Sequence, residues 1–367
     1  IMKQSERLMS LDALRGFDML FIMGFASFVV AVCGLWPSAV TDAAAASMSH
    51  VAWDGFAHHD TIFPLFLFIA GVSFPYSVAK QRAGGMSEGR IYAKIVRRGL
   101  TLVVLGMVYN GLFKLDFENL RIASVLGRIG LAWSIAAVLY LNFGVKTRAA
   151  IAVAVLAGYG ALSALVAAPD AAGAGPLTFE GNLAGYIDRQ FLPGKLIYGS
   201  FDPEGLLSTV PAVVTAMLGM FTGEFVRRGD IRGGRKTLWM AAAAAALLAA
   251  GLAFSGVLPV NKKLWSSTFV CVVGAYSLGM FALFYYLIDV RGWRRWTLFF
   301  RVVGLNSITI YLAQRIVGFG RISDFFLGGI ASKCPEAVAA VISSAGYVAV
   351  CWLFLYFLYR KNVFLKV

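Results

Sequence analysis

The sequence predicts an all-α polytopic membrane protein, with about ten transmembrane helices in one bundle and both termini cytoplasmic. Composition is the first reason. Hydrophobic residues make up 59% of the chain and charged residues only 14%, and the mean hydropathy is +0.74. Soluble domains keep apolar residues just under half. The second reason is that these residues gather into runs of roughly 20, the length needed to cross ~30 Å of hydrocarbon. The third is a bias of lysine and arginine toward alternate connections between the runs. The 367 residues therefore read as a single membrane domain, 1 to 367, rather than two soluble ones.

In chain order, the first run covers 11 to 36, too long and too late for a signal-peptide core, and is read as a retained span. The second, 61 to 79, opens with Asp60 and Thr61 before Pro64, which fits a helix start with a side-chain oxygen capping free N–H groups. Runs at 95 to 113, 122 to 143 and 149 to 168 follow. Then comes a Gly- and Pro-rich stretch, 169 to 205, a long extracytoplasmic loop of a length that is functional or disordered in most proteins. The remaining runs lie at 206 to 226, 238 to 258, 266 to 289, 297 to 317 and 336 to 359, and the Ala241 to Ala246 tract is a helix-forming part of the second of these. No internal repeat is visible.

With the N-terminus cytoplasmic, the six inner segments hold 23 of the 33 basic residues, from Lys3, Arg7 and Arg15 to Arg360, Lys361 and Lys366. The outer connections keep Lys114, Arg121, Arg189, Lys195, Lys262, Lys263, Arg315, Arg321 and Lys333, while Arg128 lies inside a span. The net charge of +14 is then an orientation signal and a contact with anionic lipid, not a nucleic-acid footprint. Cys33, Cys271, Cys334 and Cys351 are scattered, which suits buried thiols better than a disulfide framework or a metal site.

Three outer segments carry polar groups that spanning a membrane does not require. In the first, His50, Trp53, Asp54, His58, His59 and Asp60 hold all three histidines of the chain within ten positions. These are either interfacial loop residues or groups poised for proton transfer near neutral pH. In the second, Asp202 and Glu204 flank Pro203 before the sixth span, where they complement a helix dipole or hold a cationic or polyhydroxyl ligand. The third runs Asn261, Lys262, Lys263, Trp265. Snorkelling lysines and interfacial tryptophans are common anchors, but paired lysines at an outer end oppose the charge bias and ask for a local partner. Within the spans, Asp18, Arg128, Glu224 and Asn306 stand out. Arg128 is expected about 10 Å of helix rise below the outer surface, where a charge faces a bundle interior or a wet cavity.

These blocks together resemble the heparan-alpha-glucosaminide N-acetyltransferase family of transmembrane acyltransferases, and the chain reads as a bacterial member. The family's first block appears as His50, Trp53, Gly55, Asp60, Phe63 and Pro64, followed by Phe68, Ile69 and Gly71. The next is Arg121, Ile122, Val125, Leu126, Arg128 and Gly130. Asp202 to Gly205, Pro259 to Trp265, and Gly304, Asn306 and Ser307 complete the order over nearly the whole chain. Where the family's lysosomal member has an asparagine late in the first span, Ala26 stands here, and nothing in the sequence corresponds to that member's N-terminal luminal domain.

The resemblance implies a transmembrane acyltransferase domain that takes acetyl-CoA from the cytoplasm and acetylates a glucosamine-type amine on the far side, in the bacterial inner membrane. It makes His50 the catalytic residue, as base or transient acetyl carrier, with Asp60, or secondarily His59, orienting it. Trp53, His59, Asp202, Glu204, Asn261, Lys262 and Asn306 are the expected substrate contacts. Arg128 would meet the pantetheine or the carbonyl, and Arg97, Arg98, Arg227 and Arg228 the coenzyme phosphates. No metal is expected. The expected partners are membrane lipid and an amino-sugar or glycan acceptor, with a homodimer left open and nucleic acid excluded. The rival reading is an amino-sugar or oligosaccharide permease without acyl transfer; transporters of that kind show paired broken helices in repeated halves, and no such halves are visible.

Overall fold

The computed structural model describes residues 8–365, so Lys3, Arg7 and Lys366 lie outside the described residues. The described chain is helical and multi-pass. α1 (Met9–Leu20) runs through a π-helical turn, Phe21–Phe25, into α2 (Ala26–Cys33). Short α3 (Ala39–Ala46) and a 3₁₀ turn, His58–Asp60, lead into α4 (Ile62–Ala83), followed by α5 (Glu88–Tyr109), α6 (Val125–Asn142) and α7 (Val145–Leu165). The long loop contains α8 (Leu183–Phe191). Beyond it come α9 (Leu206–Arg227), α10 (Gly233–Ala253), α11 (Ser267–Phe284) with a π-helical extension, α12 (Thr297–Leu305), α13 (Ser307–Ile316), α14 (Phe319–Ala331) and α15 (Glu336–Arg360).

Among the described residues, eight helical segments are long and apolar enough to cross a membrane, against the ten expected. Two expected spans account for the difference. α5 has the length, but Arg90, Lys94, Arg97 and Arg98 crowd its first three turns. The stretch 297 to 317 is not one helix: it breaks at Asn306, whose backbone leaves the helical region (φ −124°, ψ 31°), and continues as α13.

α4 and α9 form the centre, each with 72% of its apolar window buried, whereas α10 and α15 bury only 17% and lie at the periphery. The two central backbones touch. A Cβ on Gly71 would strike the Ala216 carbonyl, and one on Gly219 the Phe68 carbonyl. Between membrane helices, where lipid is as apolar as leucine, such close approach through small residues supplies the packing.

Successive helices reverse direction, so the connections collect at two ends. One end gathers the His50 loop, the long loop and the α10–α11 connection, while the other holds the α4–α5, α6–α7, α9–α10 and α11–α12 connections. The long loop is an ordered cap. Isolated bridges pair Arg121 with Gly194 and Ala167 with Asn182, and the indole N–H of Trp53 donates to the Leu177 carbonyl at 2.9 Å. Only Cys351 of the four cysteines is buried; the other three are half-buried, and all four are free thiols.

Candidate active site

The site starts from Asp60. The sequence suggested a helix cap, but α4 begins at Ile62 with no side-chain cap, and Thr61 turns its hydroxyl back to the His58 carbonyl. The 3₁₀ turn instead buries the Asp60 carboxylate (1% exposed) and points it at His50. Asp60 Oδ1 lies 2.7 Å from His50 Nδ1, and Oδ2 accepts from the Val51 N–H at 3.4 Å.

Lys262 closes a triangle, with Nζ 3.0 Å from His50 Nδ1 and 3.2 Å from Asp60 Oδ1. The triangle selects a tautomer. An ammonium has donors only, and a 2.7 Å contact between a bare imidazole nitrogen and a carboxylate would set two lone pairs together. Nδ1–H therefore donates to Asp60 and Lys262 donates to the same carboxylate, so in the neutral ring the lone pair lies on Nε2. The His50 side chain is half-exposed, so that nitrogen can meet a ligand. Burial lowers the Lys262 pKa below the ordinary lysine value, and the Asp60 charge opposes that fall.

Around this triangle the loops brace one another. Asn261 is fully buried: its amide donates to Asp54 Oδ1 at 3.0 Å, and its oxygen accepts from Leu264 N. Lys263 donates to the Ala52 carbonyl and sits 4.6 Å over the Tyr198 ring. Trp53 packs at a tilt against Phe179 and edge-on against Phe201. Asn261 and Trp53, expected to touch substrate, thus have their polar atoms engaged within the protein. His59 stands with its ring 4.5 Å from that of His50.

Asp202 and Glu204 are brought together by Arg121, which opens the second family block but carries no role in the sequence reading. Arg121 donates to Asp202 at 2.7 and 2.6 Å and also to Glu204. Burial alone would lower the Arg121 pKa, but the two carboxylates outweigh it and raise it. Behind them, Asp188 accepts the N–H groups of Asp202 and Leu206 at 3.2 and 2.9 Å, and burial pushes its carboxyl up to about 6.

Arg128 lies in the first turn of α6, which starts at Val125, so it is nearer the helix start than the expected span from 122 implied. It is buried, donates to the Ser208 hydroxyl and lies 4.9 Å over Trp265. Asn306 does not join the cluster. Its amide donates to the Val363 carbonyl at 3.1 Å, tying the helix break to the C-terminal tail.

At the opposite end the four candidate coenzyme contacts divide. Arg98 lies 4.3 Å over Trp133, whose indole N–H reaches the Ala70 carbonyl, and Arg227 donates to the Pro75 carbonyl at 3.0 Å. Both therefore border the second half of α4. Arg15 joins them there through Ser73. Arg97 is exposed, and Arg228 is exposed and paired with Asp230.

A family model described as heparan-alpha-glucosaminide N-acetyltransferase, catalytic, matches residues 7–257. The chain belongs to this family. Among curated heparan-alpha-glucosaminide N-acetyltransferases, that of Homo sapiens is 27% identical over 375 residues, covering 87% of this chain and 55% of the relative. That of Mus musculus is 26% identical over 372 residues, covering 87% and 56%. The chain thus spans about half the length of the curated relatives it matches. Within the heparan-alpha-glucosaminide N-acetyltransferase match lie His50, Asp60, Arg121, Arg128, Asp202 and Glu204, while Lys262, which completes the His50 triangle, stands beyond its end.

Proposed function

We propose that this protein transfers an acetyl group from cytoplasmic acetyl-CoA to the amine of a glucosamine-type sugar at the extracytoplasmic face of a bacterial inner membrane. The observation that carries the reading is the buried Asp60 holding the half-exposed His50 by Nδ1, with Nε2 making no hydrogen bond among the described residues. An ammonium must lose a proton before it can attack a thioester. That first proton goes to solvent; Nε2 takes the next one as the C–N bond forms and passes it to the sulfur as the C–S bond breaks, so that coenzyme A leaves as its thiol. If the acetyl group first rests on the enzyme, the same nitrogen carries it. Asp60 stabilises the imidazolium that results. Lys262, beside the ring, is suited to steady the oxyanion developing at the carbonyl.

Acetyl-CoA is a substrate here, and the residues that suit its phosphates are Arg15, Arg98 and Arg227 around α4, rather than Arg97 and Arg228. Glu204 and Arg121 border the His50 end and suit a sugar bearing both amine and hydroxyls. Purified protein given acetyl-CoA and a panel of amino sugars should release coenzyme A only when an amine is present, and His50→Ala should stop it. For the orientation, an impermeant thiol reagent should label Ala45→Cys but not Gly85→Cys in intact cells; the reverse pattern would put the His50 end inside.

A permease reading has one observation in its favour: two helices are interrupted, at Gly24 and at Asn306, and broken helices border substrate sites in transporters. Sealed vesicles separate the two. Sugar uptake that persists without acetyl-CoA and releases no coenzyme A would replace the transferase with the permease.

A further inference from the structure

Away from the His50 triangle, a second polar cavity of about 430 Å³ opens where the α1–α2 junction, α13, α14 and α15 meet. Its walls carry Ser27, Gln314, Ser323, Asp324 and Tyr347, the first and last of them on strongly apolar helices. The Tyr347 hydroxyl and the Gln314 side-chain oxygen lie 3.1 Å apart.

Three features show that this is a built site. Ser323 is 2% exposed, and its hydroxyl has no hydrogen-bond partner among the described residues. A buried hydroxyl left unpaired is destabilising, and a ligand in the cavity removes that cost. Gly24, on the facing wall, holds φ at +106° inside the π-helical turn, and a Cβ there would come within 2.7 Å of the Tyr347 ring. Non-helical backbone at membrane depth persists where it lines a polar cavity or is covered by protein. Lastly, Asp324 carries the cavity's one charge, exposed on α14 and with no cationic partner among the described residues, so it is open to a cation that enters.

We infer that this cavity binds a primary ammonium group carried on a head rich in hydrogen-bonding oxygens, with Asp324 taking the ammonium and Ser323, Ser27 and Gln314 the oxygens. The volume lies in the range of small-molecule pockets and far exceeds what a bare ion fills. Two sources share that chemistry: a free amino sugar, through its hydroxyls, and the headgroup of an ethanolamine lipid entering from the bilayer, through its phosphate oxygens. Ile22 lines both this cavity and the narrow cleft that reaches Ile62 and Phe63 at the start of α4, so an occupant here lies on the flank of the proposed acceptor site. Only the link to acetylation rests on the proposed function; the binding does not.

The test is binding without acetyl-CoA, in nanodiscs of phosphatidylcholine alone and of phosphatidylcholine with phosphatidylethanolamine. Glucosamine is titrated by calorimetry, with glucose as the amine-free control, and retained lipid is read by native mass spectrometry. Asp324→Asn should weaken either glucosamine affinity or ethanolamine-lipid retention about tenfold or more, the scale of a charge-assisted contact, and whichever responds names the source. Asp324→Glu, which keeps the charge, should retain binding. If Asp324→Asn folds like wild type and both readouts are unchanged, or if glucose binds as well as glucosamine with no lipid retained, the inference is overturned. Absence of acetyl transfer with binding intact would sink the proposed function and leave the site standing.

Discussion

The two ends of the bundle use charge in opposite ways. At the His50 end, ionic and polar contacts join residues far apart in sequence: His50 to Lys262, Asp54 to Asn261, Arg121 to Asp202. At the other end the surface pairs are local and exposed, Arg82 with Glu88 and Arg228 with Asp230. Deeper in that half, Arg148 reaches Glu224 and Arg227 reaches Pro75, so long-range contacts occur there too, but between helices rather than between loops. A charge that only orients a chain in a membrane needs no partner. A charge that performs chemistry has to be held, and at the His50 end crossed loops hold it.

The sharpest way to break this contrast is His50→Ala. Acetyl transfer should fall about 10²- to 10⁴-fold, the scale of a positioned acid–base group, with melting temperature unchanged because the ring is half-exposed. Coenzyme A release and a thermal melt together check it; wild-type turnover would remove His50 from its role. Asp60→Asn should cost turnover about 10²-fold, because the amide can no longer neutralise the imidazolium, and the loss should be seen in kcat more than in KM for the amine.

Arg121→Met sharpens the contrast through stability. It strands Asp202, which is buried, beside Glu204, and breaking a buried pair from one side costs about 3–5 kcal/mol. Denaturation in detergent should show this, while Arg228→Ala at the opposite end should leave the midpoint where it was, since its pair is solvent-exposed.

The smallest effect expected is on pH dependence. Asp188 has its carboxyl pushed up to about 6 by burial, from an ordinary 3.8. The folded state therefore holds this proton more tightly than the unfolded chain. Its contribution to stability is full below about pH 4 and is lost as pH rises through about 6. Melting curves of wild type and Asp188→Asn between pH 4 and 7 should differ in slope in that sense; parallel curves would show that Asp188 titrates normally.

By itself the sequence determined the helical membrane class, the alternation of connections and the membership of His50, Asp60, Asp202, Glu204 and Lys262 in one set of loops. Those follow from local properties, apolar run length and charge bias, which any stretch of chain carries without its neighbours. It also anticipated that the paired lysines need a partner, since a charge against the topological bias is anomalous wherever it lies. What tertiary structure alone decided is who partners whom. Asp60 reads as a helix cap or, by the resemblance, as the group that orients His50; only the fold adds Lys262, two hundred residues on, at 3.2 Å. Arg121 reads as an outer charge within a family block, and only the long loop folding back delivers Asp202 to it. Asn261 and Trp53 are candidate ligand contacts, and only the fold engages their donors with Asp54 and Leu177. The span expected at 297 to 317 breaks because the Asn306 side chain finds the Val363 carbonyl. Hydrogen-bond partners separated by tens to hundreds of residues leave no periodicity in the chain, and it is the packing of helices such as α4 on α9 that brings them within reach.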